Sequence, residues 1–277
     1  MCVNYGHDQE TVGFVRSVAG LVGAEDVHVV VVDNADAPAP IGPLVELTAA
    51  PRVTVLAAGT NLGYLRGAEW GRRRYLEDAP DVEWVIVSNT DIEFCDPHVL
   101  QKLTTCYGGS RPTPGVIAPD IELVPDRGPP LSPRHQNPYM VSRPAASSMR
   151  ALTMIMATFA GYRLYEGLAT LRGLYRYHRG STSDGPRAGE IYAPFGAFMI
   201  FHRSFFECGA TLDGAPFMYG EELYVAEVAR KHGVRIVFDP SLRVIHRQHF
   251  TIDGSSSRRR AEMSRDSLRA ITDSFFR

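Results

Sequence analysis

The sequence predicts an α/β protein, a three-layer sandwich in which helices cover both faces of a mostly parallel central sheet. Three observations predict it. Val27–Val32 is apolar or β-branched at nearly every position, the habit of a strand buried on both faces. Segments of helical spacing alternate with such runs. Polar residues come directly after the runs, as in Asp33-Asn34 and Asn89-Thr90-Asp91, and parallel sheets bind ligands outside the carboxyl ends of their strands.

Met1–Tyr5 reads as a first strand, short enough that the natural chain is expected to start further upstream. Across Glu10–Val22, residues Val12, Val15, Val18, Ala19 and Val22 share one helical face. After the Val27–Val32 strand comes a Pro/Ala loop over residues 35–43, then a strand at Val53–Ala57. Asn61-Leu62-Gly63 is a turn before a helix from Leu65 to Leu76. Val82–Ser88 is a buried strand, Pro97–Thr105 a helix and Gly115–Ala118 a short strand. Residues 124–148, rich in Pro, Arg and Ser, read as a mobile loop. Residues 149–177 form one or two helices, and Gly180–Gly189 is a second flexible stretch. Ala197–Phe201 resumes the strands. Glu221–His232 is a helix closed by Gly233, with Lys231 and His232 suited to its C-terminal dipole. Val234–Phe238 and Leu242–Ile245 are two strands, and a charged helix fills the tail from Ser255. Four sections result: 1–123, a helical insertion over 124–189, 190–254, and a C-terminal helix over 255–277.

The bulk composition narrows the function classes. Across 277 residues the formal net charge is -2, which argues against a nucleic-acid partner. From Arg127 to Arg187 there are nine Arg, no Lys, and only Glu166 and Asp184 as acids. This local basic excess suits phosphate or anionic lipid, and a solvated Arg-rich insert explains it equally well. Ala151–Ala169 is the nearest approach to a membrane span, but Arg163 and Glu166 break it. It is expected to lie on a membrane surface at most. Cys2, Cys95, Cys106 and Cys208 have neither zinc nor redox spacing. With no signal peptide at Met1, the expected location is the cytoplasm, with peripheral contact to the inner face of the membrane as an extension.

Strand ends select the candidate chemistry. Asp33 and Asp91 come just after buried strands, His246 ends one, and Glu221 and Glu222 open a helix near the same edge. A carboxylate and an imidazole can hold Mn²⁺ or Mg²⁺ with positions left for phosphate oxygens, which points to Asp91 and His246. Taken singly, a turn-capping Asp91 and a satisfied His246 are the simpler explanations. Asp33 can accept from a nucleotide base or ribose, or only shape its turn. Gly63, after Asn61, can let backbone approach a diphosphate, and Arg66 can pair with phosphate. Glu221 or Glu222 can take a proton from a hydroxyl, although acids in a first helical turn are already explained by the dipole.

Several segments together resemble family-two inverting glycosyltransferases. They are Val29–Ala35, Gly59–Gly63, Val87–Ile92, Gly196–Ile200, Phe217–Glu222, Gly233–Ile236 and Val244–His246. Within that family the nearest likeness is to bacterial rhamnosyl- and galactofuranosyltransferases, and it covers roughly residues 1–123 and 190–250. The resemblance implies a GT-A fold. It implies that Asp33 contacts the nucleotide base and that Asn89-Thr90-Asp91 stands for the Asp-x-Asp metal motif. Asp91 is then the retained ligand and His246 the second. Glu222 falls where the family has a catalytic Asp. The longer side chain leaves open whether Glu222 or Glu221 is the base, since a misplacement of about 1 Å can lose on the order of a hundredfold in rate.

The activity implied is an inverting transfer from a dTDP- or UDP-sugar to a saccharide or glycolipid hydroxyl. Tyr162, Tyr165, Tyr175 and Tyr177 in the basic segment could meet a lipid-phosphate acceptor, with helix packing or homodimer contact explaining them equally well. Two rivals remain. A binding scaffold without turnover is favoured only by the Glu222 departure. A sugar-phosphate nucleotidyltransferase would need a basic Gly-rich loop, and Asn4–Glu10 has one Gly and no Lys or Arg.

Overall fold

The structure is a computed structural model that describes residues 1–77, 79–109, 113–124, 135–178, 187–247 and 257–277, the side chains of 170–178 excepted. Strand β1 (Cys2–Asn4) leads to α1 (Asp8–Ala19), β2 (Val29–Asp33), a one-turn α2 (Leu44–Leu47) and β3 (Val53–Ala57). Then come α3 (Tyr64–Leu76), β4 (Trp84–Ser88), β5 (Ile92–Glu93), α4 (Val99–Tyr107) and β6 (Val116–Leu123). Helices α5 (Ala146–Met156) and α6 (Phe159–His178) precede β7 (Gly189–Glu190), β8 (Phe198–His202), α7 (Arg203–Glu207), α8 (Glu221–Lys231), β9 (Ile236–His246) and α9 (Ser257–Phe275).

One sheet runs β3-β2-β1-β4-β8-β6-β9-β5, with β7 also paired to β9. Strands β1, β2, β3, β4, β6 and β9 point one way, while β8, β5 and β7 run against their neighbours. Two-residue periodicity divides the core between the faces. Met199 and Phe201 of β8 pack with α3, α7 and α8 through Leu65, Phe205 and Val225. Phe198 and Ile200 of the same strand pack with α1, α2 and α4 through Val15, Leu44 and Leu103. Burial of each such side chain stabilises the fold by roughly 1.5–3 kcal/mol. A third cluster joins α5, α6 and α9 through Met149, Tyr162, Leu268 and Ile271, and reaches α8 at Leu223. The predicted three-layer α/β sandwich is therefore present.

Several boundaries differ from the sequence reading, each for a local reason. The first helix starts at Asp8 and stops at Gly20, two residues before Val22. The Pro/Ala loop closes into α2, because Leu44 and Leu47 are buried. The two strands expected at 234–238 and 242–245 are one, β9. Its partner β6 shifts register between Pro119 and Asp120, where Pro119 faces Asp239 and Asp120 faces Arg243. Pro240 sits in this bulge, where a missing N–H is tolerated. β6 itself continues to Leu123, five residues beyond the expected end at Ala118.

The expected mobile loop at 124–148 is corrected where it is described. The Gln136 N–H donates to the Ile121 carbonyl at 2.9 Å, and Asn137 Nδ2 donates to the Pro119 carbonyl at 2.8 Å. Residues 135–140 thus run along the sheet, and α5 starts at Ala146. Residues 125–134, 180–186 of the second flexible stretch, and 248–256 lie outside the described residues. Arg143 locks the helical insertion onto the second half: it donates to the fully buried Glu227 of α8 at 2.6 Å and to the Phe275 carbonyl at 2.8 Å.

Candidate active site

The parallel strands bring Asn4, Asp33, the Asn89–Asp91 turn and His246 to one edge. At the far side of this set, β5 turns back and pairs with the end of β9, so that Ile92 lies opposite His246. This pairing seats Asp91 beside the imidazole. His246 Nε2 is 3.2 Å from Asp91 Oδ2, and both side chains are buried. The other ring nitrogen, Nδ1, is 2.8 Å from Gln136 Oε1. With the Gln136 carboxamide oxygen accepting, Nδ1 carries the proton and Nε2 faces the carboxylate. In the neutral ring two lone pairs then confront each other, an arrangement that a cation between them stabilises.

The second carboxylate oxygen, Asp91 Oδ1, is buried with no hydrogen-bond partner among the described residues. An orphaned buried carboxylate oxygen is costly unless a cation or donor meets it. Two ligand atoms about 2.1 Å from one ion and at right angles lie about 3 Å apart, close to the Asp91–His246 separation. The residues therefore fit a divalent ion held at two positions. No cluster of three or more His, Cys, Asp or Glu side chains surrounds it among the described residues, so the remaining positions would fall to substrate oxygens or water.

The paired acids reach the same space. Gly220, with φ of 81°, starts α8 after Tyr219, whose φ of 66° is uncommon for a bulky residue. Glu221 Oε1 accepts from the Tyr219 N–H at 2.9 Å and so holds this turn. Glu222 Oε1 accepts from the Gly196 N–H at 3.2 Å. A Cβ at Gly196 would lie 2.9 Å from that oxygen, so the glycine makes room for the longer side chain. Burial and the charge of Glu222 push the Glu221 carboxyl up to about 8, and burial also raises Glu222.

Tyr64 senses the charge of both the acids and Asp91. Its hydroxyl is buried without a partner among the described residues. Burial first, then the negative charges of Glu221, Cys2, Asp91 and Glu222, push it well above the usual tyrosine range. On the open side, the charge of Glu222 raises Tyr139 first, followed by burial, Tyr165 and Glu221. The Tyr139 ring lies 5.9 Å from Phe195, which lies 6.2 Å from the His246 ring. Sequence reading missed Tyr64, Tyr139, Phe195 and Gln136. Phe195 alone carried a signal, its place directly before the Gly196–Ile200 segment.

The remaining candidates form a neighbouring loop cluster. Asp33 is buried and accepts from Asn4 Nδ2 at 3.1 Å and from the Ala35 N–H at 3.2 Å. Asn34, also missed, donates to the Gly63 carbonyl at 3.0 Å. Asn61 Oδ1 accepts from the Gly63 N–H at 2.9 Å. Gly63 has φ of 83°, and a Cβ there would meet the Phe217 carbonyl at 2.3 Å. The close approach that this glycine permits in the folded chain is therefore to the backbone before α8. Arg66 is tied to its own turn, and the Asn89 backbone is held across the sheet at the start of β8. Arg66 Nε donates to the Leu62 carbonyl at 2.9 Å, and the Asn89 N–H donates to the Ala197 carbonyl at 2.8 Å. A cavity of about 810 Å³ opens elsewhere, at the amino ends of β2 and β4 around His28, Tyr75 and Trp84, and none of the candidate residues lines it.

Comparison with solved structures bears on the fold. GalNAc-T7, solved with UDP, GalNAc and Mn²⁺, superposes with a TM-score of 0.56 at 14% identity, over 92% of this chain and 45% of that one. S. aureus TarS superposes with a TM-score of 0.50 at 13% identity, over 89% of this chain and 59% of that one.

The fold is that of the GT-A glycosyltransferases.

This GT-A chain spans 45% and 59% of the lengths of those two neighbours. No protein-family model and no curated protein sequence matches it. No helix among its described residues is long and apolar enough to cross a membrane.

Proposed function

We propose that this chain is a metal-dependent glycosyltransferase that moves a sugar from a nucleoside-diphosphate donor to an acceptor hydroxyl with inversion. The observation that carries this reading is the Asp91–His246 pair, with its orphaned Asp91 oxygen, beside the Phe195–Ala197 segment that also receives Glu222 at Gly196. The Mn²⁺ and UDP named for GalNAc-T7 support the same reading by fold likeness. Asp91 and His246 would hold Mn²⁺ or Mg²⁺, which when bound offsets the charge developing on a diphosphate leaving group.

The chain's own residues supply the rest. Asp33, oriented by Asn4, accepts from the nucleotide base or ribose. Asn61 and Gly63 shape the loop beneath the diphosphate, with Arg66 at its rim as the phosphate partner. Glu222, steadied by the Gly196 N–H, takes the proton from the acceptor hydroxyl as that oxygen attacks the anomeric carbon. Burial raises its proton affinity, which makes the ionised carboxylate a stronger base. Glu221 holds the Tyr219–Gly220 turn that aims Glu222. Tyr139 and Phe195 offer ring faces to an acceptor sugar. A dTDP-rhamnose or UDP-sugar donor and a surface-polysaccharide acceptor are what the motif resemblance supports.

A thermal-shift titration with dTDP, UDP and GDP, each with and without Mn²⁺, tests the donor site. A ligand at about 100 times its Kd should stabilise the fold by roughly 2.7 kcal/mol. Metal-dependent stabilisation by dTDP or UDP, absent in Asp91→Asn, is expected. A folded protein that shifts with none of the three would overturn the reading.

A further inference from the structure

Helices α5 and α6 are apolar on two sides. Their inner side, Met149, Met156 and Tyr162, packs against α9. Their outer side is exposed and nearly as apolar. Met154 is 71% exposed and Ile155 48%, at the i+3 and i+4 positions from Ala151. Phe159, at the start of α6, is 43% exposed, and Leu164 and Leu168 are 61% and 47% exposed at the i, i+4 spacing begun by Ala160. Charged side chains rim this face. Arg150 and Arg163 flank it, and Arg258 of α9 lines a groove with Phe159 and Glu262. Glu166 is bonded to Tyr162 and Arg163.

We propose that this outer face of the α5–α6 pair docks in the plane of an anionic lipid bilayer, apolar side chains inserted and arginines at the headgroup phosphates. A contiguous apolar face of this kind marks an interaction surface. Neither helix can span a bilayer, which leaves the interfacial mode, and the arginine rim matches anionic headgroups. Tyr165, 40% exposed on α6, sits at the edge of the face. Docking itself requires nothing of the catalytic reading.

The test is flotation of the full chain with phosphatidylcholine vesicles, with and without about 30% phosphatidylglycerol, at low salt and at about 0.5 M salt. The protein should float with the anionic vesicles and less so at high salt. Phe159→Glu combined with Leu164→Glu should lower partitioning by at least about a hundredfold. The double variant should still unfold cooperatively, since Leu164 and Phe159 are 61% and 43% exposed. Met154→Gln serves as a milder second variant, with about a tenfold loss expected. No flotation with anionic vesicles, or undiminished flotation of a folded double variant, would overturn the proposal. So would a dimer in light scattering that the double variant dissociates, because the face would then cover a second copy.

Discussion

At the scale of single residues, two carboxylates of identical chemistry sit side by side with different partners, Glu221 on the Tyr219 N–H and Glu222 on the Gly196 N–H. Glu222→Gln should lower turnover about 10²–10⁴-fold while leaving nucleotide affinity in place. Glu221→Gln should act mainly through the turn it holds, and a kcat against Kd comparison of the two variants separates these roles. The raised carboxyl also sets a pH dependence. Glu221 moves from 4.5 up to about 8, so across that window the folded chain binds more protons than the unfolded one. Stability from this group is therefore present below 4.5 and falls as pH rises through about 8. Glu221→Gln should flatten the slope of melting temperature between about pH 5 and pH 8. A slope that is unchanged would place the ionisation elsewhere.

The placement of Asp33, Asp91 and His246 on one sheet edge was legible in the sequence, because they stand at strand ends. Their partners were not. Gln136 lies 110 positions from His246 and reaches it only because residues 135–140 run along β6. Nothing local distinguishes Gln136 or Tyr64 from solvent-facing residues of the same type.

At the scale of elements, the site depends on two close contacts. Gly63 touches the backbone of Phe217, so Gly63→Ala meets both a 2.3 Å clash and a φ of 83°. A loss of roughly 1–3 kcal/mol in urea unfolding is expected. Unchanged stability would show that the loop before α8 can move aside. The second contact is Glu227 of α8, which receives Arg143, Arg230 and Tyr192. Burial opposes its ionised form, but these hydrogen bonds hold its carboxyl below the usual range. Glu227→Ala leaves Arg143 without its partner and should cost about 3–5 kcal/mol, with the insertion loosening from α8. Chemical denaturation gives the energy, and hydrogen exchange over α5 locates the loosening.

Helix and strand types were read correctly where periodicity runs long, as in α3 and α8. Short elements escaped. β5 has two residues and α2 four, too few for any period to register, and each exists because a neighbour covers it. The single β9 read as two strands because Pro240 is a sound local signal for a break, and only the bulge opposite Pro119 shows why the ladder survives it.

At the scale of the whole molecule, α9 closes the fold. Phe276 is 1% exposed, and Leu268 and Ile271 seal α5, α6 and α8 into one cluster. Phe276→Ala should destabilise the chain by about 3–5 kcal/mol, measurable by calorimetry. A near-neutral result would mean that this cluster can collapse around the gap. The inner face of the insertion is thus structural, while its outer face stays exposed.

The sequence by itself determined the class of fold and the polar residue types that stand at the carboxyl ends of its strands, because strand burial and helical spacing are local properties of the chain. Only the tertiary structure decided which of those residues meet. The return of β5 onto β9 places Asp91 against His246, and the left-handed turn before α8 delivers Glu222 to Gly196. Such meetings depend on register, bulges and close backbone approach between distant segments, which no spacing along the chain encodes.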